Sequence, residues 1–313
     1  MSHGITILTS LNKINSFKRQ QEIAYCFEKN YTIPGVNEII IFTENKNKTF
    51  GNYIDKVIKF YNIKIVLTIK RPTYYDLVNY ANEKLCYKPV IICNSDIYFD
   101  NEVSIINDID LTNKFYPLTR WMYADDGQAY LPWLFNSNHP INKIKEKNMT
   151  PLNCWLEGQH PNQALDTKRH EEIDWSEQTG KEFLPNEESL LTFKSTGKNV
   201  YWKNEYSADA WIFQPPVFKD TPDRKWGQKL EDLKIPLGTF RCDTMLNYIL
   251  IQEHILSKLD VRNPCLTLKC YHHDFLTTER SKSYYDDALA ATDKHNHLLH
   301  RCYIPWETLN DKS

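Results

Sequence analysis

The sequence has no Cys-x-x-Cys pair among its eight cysteines, no apolar run near the ~20 residues that span a bilayer, and no excess of either charge. Each absence excludes something. The cysteines, at 26, 86, 93, 154, 242, 265, 270 and 302, are scattered and several lie inside apolar runs, which describes reduced, buried thiols and not a disulfide framework. Met1-Ser2-His3-Gly4 leads straight into a short apolar run, with no basic segment ahead of a long apolar one, so no signal peptide is expected. A cytoplasmic location follows as the expectation. With 38 basic against 40 acidic residues and a formal net charge of −2, nothing in the global balance asks for nucleic acid. Neither an internal repeat nor a low-complexity segment is present. Aromatic residues are plentiful, with 19 Tyr and 8 Trp, which suits either a well-packed core or a cleft that stacks flat rings.

What is present is alternation. Residues 5–8 are apolar and end in Thr9-Ser10, a first strand; Ser16 is placed to cap a helix carrying Arg19, Glu22, Ile23, Cys26 and Phe27 at helical spacing. Pro34-Gly35 marks a turn. Residues 38–42 then read as a second strand, 52–61 as a helix, 63–68 as a third strand, 74–84 as a helix begun by Pro72, and 89–93 as a fourth strand. Strands and helices alternating over short connections predict an α/β fold with a mostly parallel sheet flanked by helices. The strand C-termini then share one edge, which gathers Thr9, Ser10, Leu11, Glu44, Asn94, Ser95 and Asp96.

From 121 to 206 the pattern dissolves into Trp and Pro with little periodicity, and we read an ordered insertion that walls a pocket. Order returns at Ser207-Ala208-Asp209-Ala210-Trp211-Ile212-Phe213, a strand stopped by Pro215-Pro216. Residues 244–256 then read as a helix with Asp243 at or near its N-terminus. Residues 261–270 read as turn and strand. The expected organisation is one domain over 1–313, with an N-terminal half (1–120), the insertion (121–206) and a C-terminal half with a tail (207–313); the resemblance described below implies that the first binds a nucleotide sugar and the last the acceptor.

The run Val90-Ile91-Ile92-Cys93-Asn94-Ser95-Asp96 delivers a carboxylate at a strand end, where open α/β sheets place ligand chemistry. A hard cation takes oxygen ligands of this kind together with substrate phosphates, and a plain strand-end turn accounts for the same tripeptide. Asp243 suits a general base, or simply a helix cap. Gly238 ahead of it leaves room for backbone or acceptor. Arg71, between a strand and a helix on the ligand edge, suits a phosphate or base carbonyl, or an internal carboxylate. His272 and His273 suit a metal's shell, or a surface turn. His295, His297 and His300 lack the partners for a zinc site.

In order and spacing, these blocks resemble nucleotide-sugar-dependent glycosyltransferases of the GT-A (Rossmann-like) fold. More narrowly, they are similar to a group of such sequences from large DNA viruses and some microbes. The resemblance runs from residue 5 to about 284 and rests on Arg19-Gln20-Gln21-Glu22, Arg71-Pro72-Thr73-Tyr74, Asn94-Ser95-Asp96-Ile97-Tyr98-Phe99-Asp100, the block from Ser207 to Phe213, Cys242-Asp243 and His272-His273. It implies a UDP-, GDP- or dTDP-sugar donor, a glycan or other hydroxyl-bearing acceptor, and Mn2+ or Mg2+ held by Asp96 with help from His272 and His273. It implies Asp243 as the base of an inverting transfer, Asp209 as second candidate, and Trp211, Gly238 and Arg241 near acceptor or sugar. Two positions depart from the family's pattern: Asn94 stands where its first metal carboxylate is expected, and Cys242 where an acid precedes the base. Two other classes stay open. A nucleotidyltransferase on a similar sheet would favour a Gly-rich phosphate loop after the first strand, and Thr9-Ser10-Leu11-Asn12-Lys13-Ile14-Asn15 contains no Gly. A non-catalytic carbohydrate-binding module would favour loss of the strand-end acid, and Asp96 is present.

Overall fold

The computed structural model describes residues 4–45, 49–123, 129–130, 192–195, 198–201, 208–239, 242–265, 267–272 and 309. The chain opens with β1 (Ile5–Ser10), α1 (Phe17–Tyr31), β2 (Val36–Glu44), α2 (Asn52–Phe60), β3 (Lys64–Thr68), α3 (Tyr74–Lys84) and β4 (Val90–Cys93). It continues through β5 (Ile97–Phe99), a 3-10 helix (Asn101–Asn107), β6 (Lys114–Leu118), β7 (Arg120–Tyr123), β8 (Ala129–Tyr130), β9 (Thr192–Ser195) and β10 (Lys198–Tyr201). The last described elements are β11 (Ala210–Phe213), a second 3-10 helix (Leu230–Leu233), α4 (Cys242–Ser257), β12 (Asp260–Val261) and β13 (Cys270–His272).

A seven-stranded sheet runs in the order β12-β6-β11-β4-β1-β2-β3. β4, β1, β2 and β3 are mutually parallel, whereas β11 is antiparallel to β4 and to β6. This is the Rossmann-like α/β architecture expected from the alternation. Period-two side-chain geometry divides the core between its faces. Leu8, Ile40, Phe42 and Ile92 pack with α3 and α4 on one face. Ile7, Ile39, Ile41 and Ile91 pack with α1 and α2 on the other. Strands buried on both faces read as apolar runs, which is why β4 is Val-Ile-Ile-Cys throughout and the polar residues within β1, Thr6 and Thr9, are themselves buried. The helix starts follow local chemistry. Ser16 caps α1 by accepting from the Arg19 N–H, and Thr73 with Asp76 forms a capping box on α3.

A second sheet of order β5-β13-β7-β8 adjoins the first, and β9 and β10 form a separate antiparallel pair. β4 passes into β5 and β6 into β7, so both chains leave the large sheet for the small one at the same edge. β11 lies between β4 and β6 in the large sheet, and β13 lies between β5 and β7 in the small one. The sequence patterns did not announce β5, β6 or β7. Most of the 121–206 insertion lies outside the described residues. Among the described residues, no helix is long and apolar enough to cross a membrane.

Candidate active site

Two chain corners build the site. At the first, β4 ends and the chain turns through Asn94, Ser95 and Asp96 into β5. At the second, β6 ends and the chain turns at Thr119 so that β7 begins with Arg120. The second corner is fixed by Asn263, fully buried, which accepts from the Thr119 N–H at 3.2 Å and donates to Thr119 Oγ1 at 3.0 Å. Between the corners β11 enters the sheet, and its direction brings the preceding residue, Asp209, to the edge where β4 and β6 end. The Asn94 N–H donates to the Asp209 carbonyl, and the Asp209 N–H to the Leu118 carbonyl, both at 3.1 Å.

Asp209 Oδ1 accepts from Asn94 Nδ2 at 2.8 Å and from Arg120 Nη1 at 2.8 Å. Burial works against the charge on Arg120, but Asp209, then Asp96, and at longer range Asp243 more than offset it, and the guanidinium pKa is raised. Asp209 thus holds the guanidinium directly, and the charges of Asp96 and Asp243 act on it. Its Nε–H is buried and meets no acceptor among the described residues.

Asp96 is held from the other side. In the first turn of α1, Arg19 donates through Nη2 to Asp96 Oδ2 and through Nη1 to Glu22 Oε2, the latter at 3.0 Å. Glu22 is fully buried. Burial again opposes the Arg19 charge and Asp96 and Glu22 prevail, so this pKa is raised too. α1 is fastened to the corner at its far end, where Asn30 donates to the Ile97 carbonyl at 2.9 Å and accepts from the Phe99 N–H at 3.0 Å.

Asp243 lies in the first turn of α4. The loop before it is anchored by Arg71, whose Nε donates to the Leu237 carbonyl at 2.9 Å and whose Nη2 donates to the Gly238 carbonyl at 3.0 Å. Gly238 has φ +68°, and a Cβ there would stand 3.2 Å from Arg71 Nη2. The glycine thus makes room for Arg71 and for a left-handed backbone. Burial, with Asp243 alongside, pushes the Cys242 thiol up to about 11, so at neutral pH it is a neutral packing group.

The remaining expected residues divide clearly. Trp211 is a correction: it is 1% exposed, edge-on to Tyr74 at 5.2 Å between ring centres, with its indole N–H donated to Asn247 at 3.2 Å. It offers no face to a sugar, because β11 is central in the sheet and both its faces are covered. Arg71 braces the α4 loop through two carbonyls. Thr9 is buried, and its hydroxyl has no partner among the described residues. Ser10 and Glu44 are half-buried at the ends of β1 and β2, and Leu11 is buried with its N–H on the Phe42 carbonyl at 3.0 Å. Ser95 is half-buried in the first corner. The backbone of His272 pairs with Ile97, the residue after Asp96. Its side chain, and all of Arg241 and His273, lie outside the described residues.

As arranged, the described residues do not fit a divalent cation. Asp96 holds Arg19, the Asn94 amide holds Asp209, and among the described residues no three His, Cys, Asp or Glu side chains gather as a ligand set. Asp96 can offer Oδ2 to a cation only by releasing Arg19.

Sequence reasoning missed Arg120. Its signal was available: the run Phe115-Tyr116-Pro117-Leu118 ends in Thr119-Arg120 just as Ile92-Cys93 ends in Asn94.

No protein-family model matches the chain, and no curated protein sequence does. Among solved structures, it is similar to a 4-diphosphocytidyl-2C-methyl-D-erythritol synthase at 13% identity and TM-score 0.26, over 41% of this chain and 67% of that one. It is also similar to a CTP:phosphocholine cytidylyltransferase from Streptococcus pneumoniae at 16% identity and TM-score 0.22, over 41% of this chain and 64% of that one. At such scores neither likeness bears on what this chain binds or does.

Proposed function

We propose that the protein is a nucleotide-dependent transferase, and that the group it moves is a sugar, taken from a UDP-, GDP- or dTDP-sugar and placed on a hydroxyl of a glycan or similar acceptor. One observation carries the reading: Asp209 is held at 2.8 Å by both Arg120 and Asn94, two residues before Asp96, at the carboxyl edge of a Rossmann-like sheet. That edge is where open α/β sheets take their ligands.

In this reading the ends of β1, β2 and β4 receive the donor, with Thr9, Ser10, Leu11, Glu44, Asn94 and Ser95 around its nucleoside and phosphates. Arg71 acts from behind by setting the α4 loop. Asp209 has its Oδ1 committed to Asn94 and Arg120 and serves to orient substrate hydroxyls. Asp243 is the base. It takes the acceptor's hydroxyl proton as that oxygen bonds to the anomeric carbon from the face opposite the leaving group. The bond from that carbon to the diphosphate oxygen breaks, its electron pair leaves with the nucleoside diphosphate, and the anomeric configuration inverts. Residues 121–206, beginning next to Arg120 and ending next to Asp209, shape the acceptor side. The free buried cysteines 26, 93, 242, 265 and 270 suit a reducing, cytoplasmic setting.

A second reading, nucleotidyl transfer, is favoured by Arg19, a guanidinium in the first turn of the helix after β1, where a triphosphate would lie. The absence of glycine between β1 and α1 counts against it.

One screen separates the two. The protein is incubated with UDP-, GDP- and dTDP-sugars and, separately, with nucleoside triphosphates and sugar phosphates, with Mn2+ and with chelator. Release of nucleoside diphosphate from one sugar nucleotide is expected. Pyrophosphate release from a triphosphate alone would replace the first reading with the second. Inertness to every nucleotide would end both.

A further inference from the structure

The metal that the resemblance implies and the side chains at the first corner disagree, and the disagreement has a pattern. Two carboxylates there would balance a dication. Here the first position is Asn94, whose amide is committed to Asp209 at 2.8 Å, and Asp96 is the carboxylate that remains. Arg19 is bonded to it. At that corner a monocation thus faces a single acid, where the family's pattern sets a dication against two. Arg19 is also tethered from behind: Nη1 donates to Glu22 at 3.0 Å, and Glu22 is 1% exposed. A metal ion on Asp96 would lie beside a guanidinium anchored to the protein, and the two would repel.

The second corner supplies another fixed cation. Arg120 commits Nη1 to Asp209 Oδ1 at 2.8 Å, while its buried Nε–H meets no acceptor among the described residues. Nε and Nη2 share the edge through which a guanidinium takes an oxyanion by two parallel hydrogen bonds. No described residue accepts from that edge. A guanidinium carries five N–H donors in all. Bonds to described residues engage two nitrogens of Arg19 and one of Arg120, so each side chain can keep its acid and still donate to a phosphate. Neither is sealed off, Arg19 being 31% and Arg120 21% exposed. The acids hold both planar groups in position and keep them charged despite burial, both pKa values being raised. Asp96 links the two, bonded to Arg19 and acting by its charge on Arg120.

We infer that the site takes the diphosphate of its donor on Arg19 and Arg120, in place of a divalent cation. This rests on the sugar transfer proposed above and deepens it. As the acceptor oxygen bonds to the anomeric carbon and its proton passes to Asp243, the electron pair of the breaking bond moves onto the diphosphate oxygen. The charge that develops there meets N–H donors already fixed in place, which need no reorganisation at that moment. Guanidinium groups suit the task because they stay charged at every working pH and present their donors in a plane that matches phosphate oxygens.

The test is calorimetric titration of the full chain with UDP, GDP and dTDP, in excess EDTA and in Mn2+, alongside release of nucleoside diphosphate from the matching sugar nucleotide under the same two conditions. One diphosphate is expected to bind in EDTA, with Mn2+ changing its Kd by less than about threefold. Turnover is expected to persist in EDTA. Arg120→Lys keeps a charge beside Asp209 and gives up the two-pronged edge. It should weaken the diphosphate by roughly tenfold and leave the matching nucleoside, which has no phosphate, bound as before. Circular dichroism checks that the variant stays folded. Binding and turnover that require Mn2+ in the parent protein would overturn the inference and leave the sugar-transfer reading standing. Undiminished diphosphate binding in Arg120→Lys, or equal loss of nucleoside and diphosphate, would overturn it as well. No response to any nucleotide, with or without Mn2+, would end the reading and the inference together.

Discussion

Asn94 donates its side-chain amide to Asp209 Oδ1 at 2.8 Å, joining residues 115 apart in sequence. An amide is required there. A carboxylate at 94 would set oxygen against oxygen beside a nearly buried acid. Asn94→Asp is therefore expected to destabilise the fold at neutral pH by roughly 2–4 kcal/mol. The like-charged pair would bind protons more tightly folded than unfolded, so the deficit should grow as pH rises and shrink as it falls. Urea unfolding of both proteins across pH 4–8 measures it. Equal stability throughout would mean that the amide at 94 is not what Asp209 requires.

Asp243→Asn keeps the side chain's shape and removes the carboxylate proposed as the base. Its effect should fall on kcat, by about 10²–10⁴, with little change in nucleotide affinity or melting temperature. Steady-state kinetics on whichever sugar nucleotide the screen identifies, together with a thermal melt, provide the comparison. A change confined to KM would move the base elsewhere, Asp209 being next.

Arg19 holds two acids, one of them fully buried. Arg19→Met removes a cationic partner from both and should cost roughly 2–4 kcal/mol of stability. It should also raise the affinity of Asp96 for Mn2+, because the guanidinium no longer competes. Calorimetric titration of Mn2+ into the nucleotide-free variant and parent reads this directly. Unchanged or weaker binding would mean that Asp96 and a cation do not meet.

Asp100 gives a pH signature away from the site. Burial, with Glu102 adding to it, raises its carboxyl to about 7, while the Tyr271 hydroxyl donates to it at 3.1 Å. The folded protein then binds more protons than the unfolded chain between about pH 4 and about pH 7. Stability should fall as pH rises through that window, by at most about 1.4 kcal/mol per pH unit, and level off above it. Asp100→Asn should flatten that slope in melts recorded across the range.

Much of this was legible in the sequence, for identifiable reasons. α3 begins and ends where its pattern predicted, because Thr73, Asp76 and Pro72 are local start signals and need no distant partner. The strand-end position of Asp96 was legible because β4 is buried on both faces and a polar residue can appear only where it ends. Trp211 misled for the same reason. A central strand is apolar on both sides, and no pattern within Ala210-Trp211-Ile212-Phe213 distinguishes a ring packed on Tyr74 from one offered to a ligand. Arg120 and the smaller sheet were not legible, since β5 and β7 are short and depend on pairing with β13, more than a hundred residues further along the chain. The role of Asn94 depends likewise on an antiparallel strand arriving from beyond the insertion.

The ion pair between Arg120 and Asp209, closed at 2.8 Å, has an evolutionary corollary. These residues stand at the two ends of the intervening stretch, so the chain departs from and returns to nearly one point. Lengthening, shortening or replacing what lies between need not disturb the register of β6, β11 or β4. The large sheet can thus keep its register whatever follows β8 in that stretch, while β7 stays tied to β13. Grafting a different stretch between β8 and Asp209 would test how little the sheet depends on it.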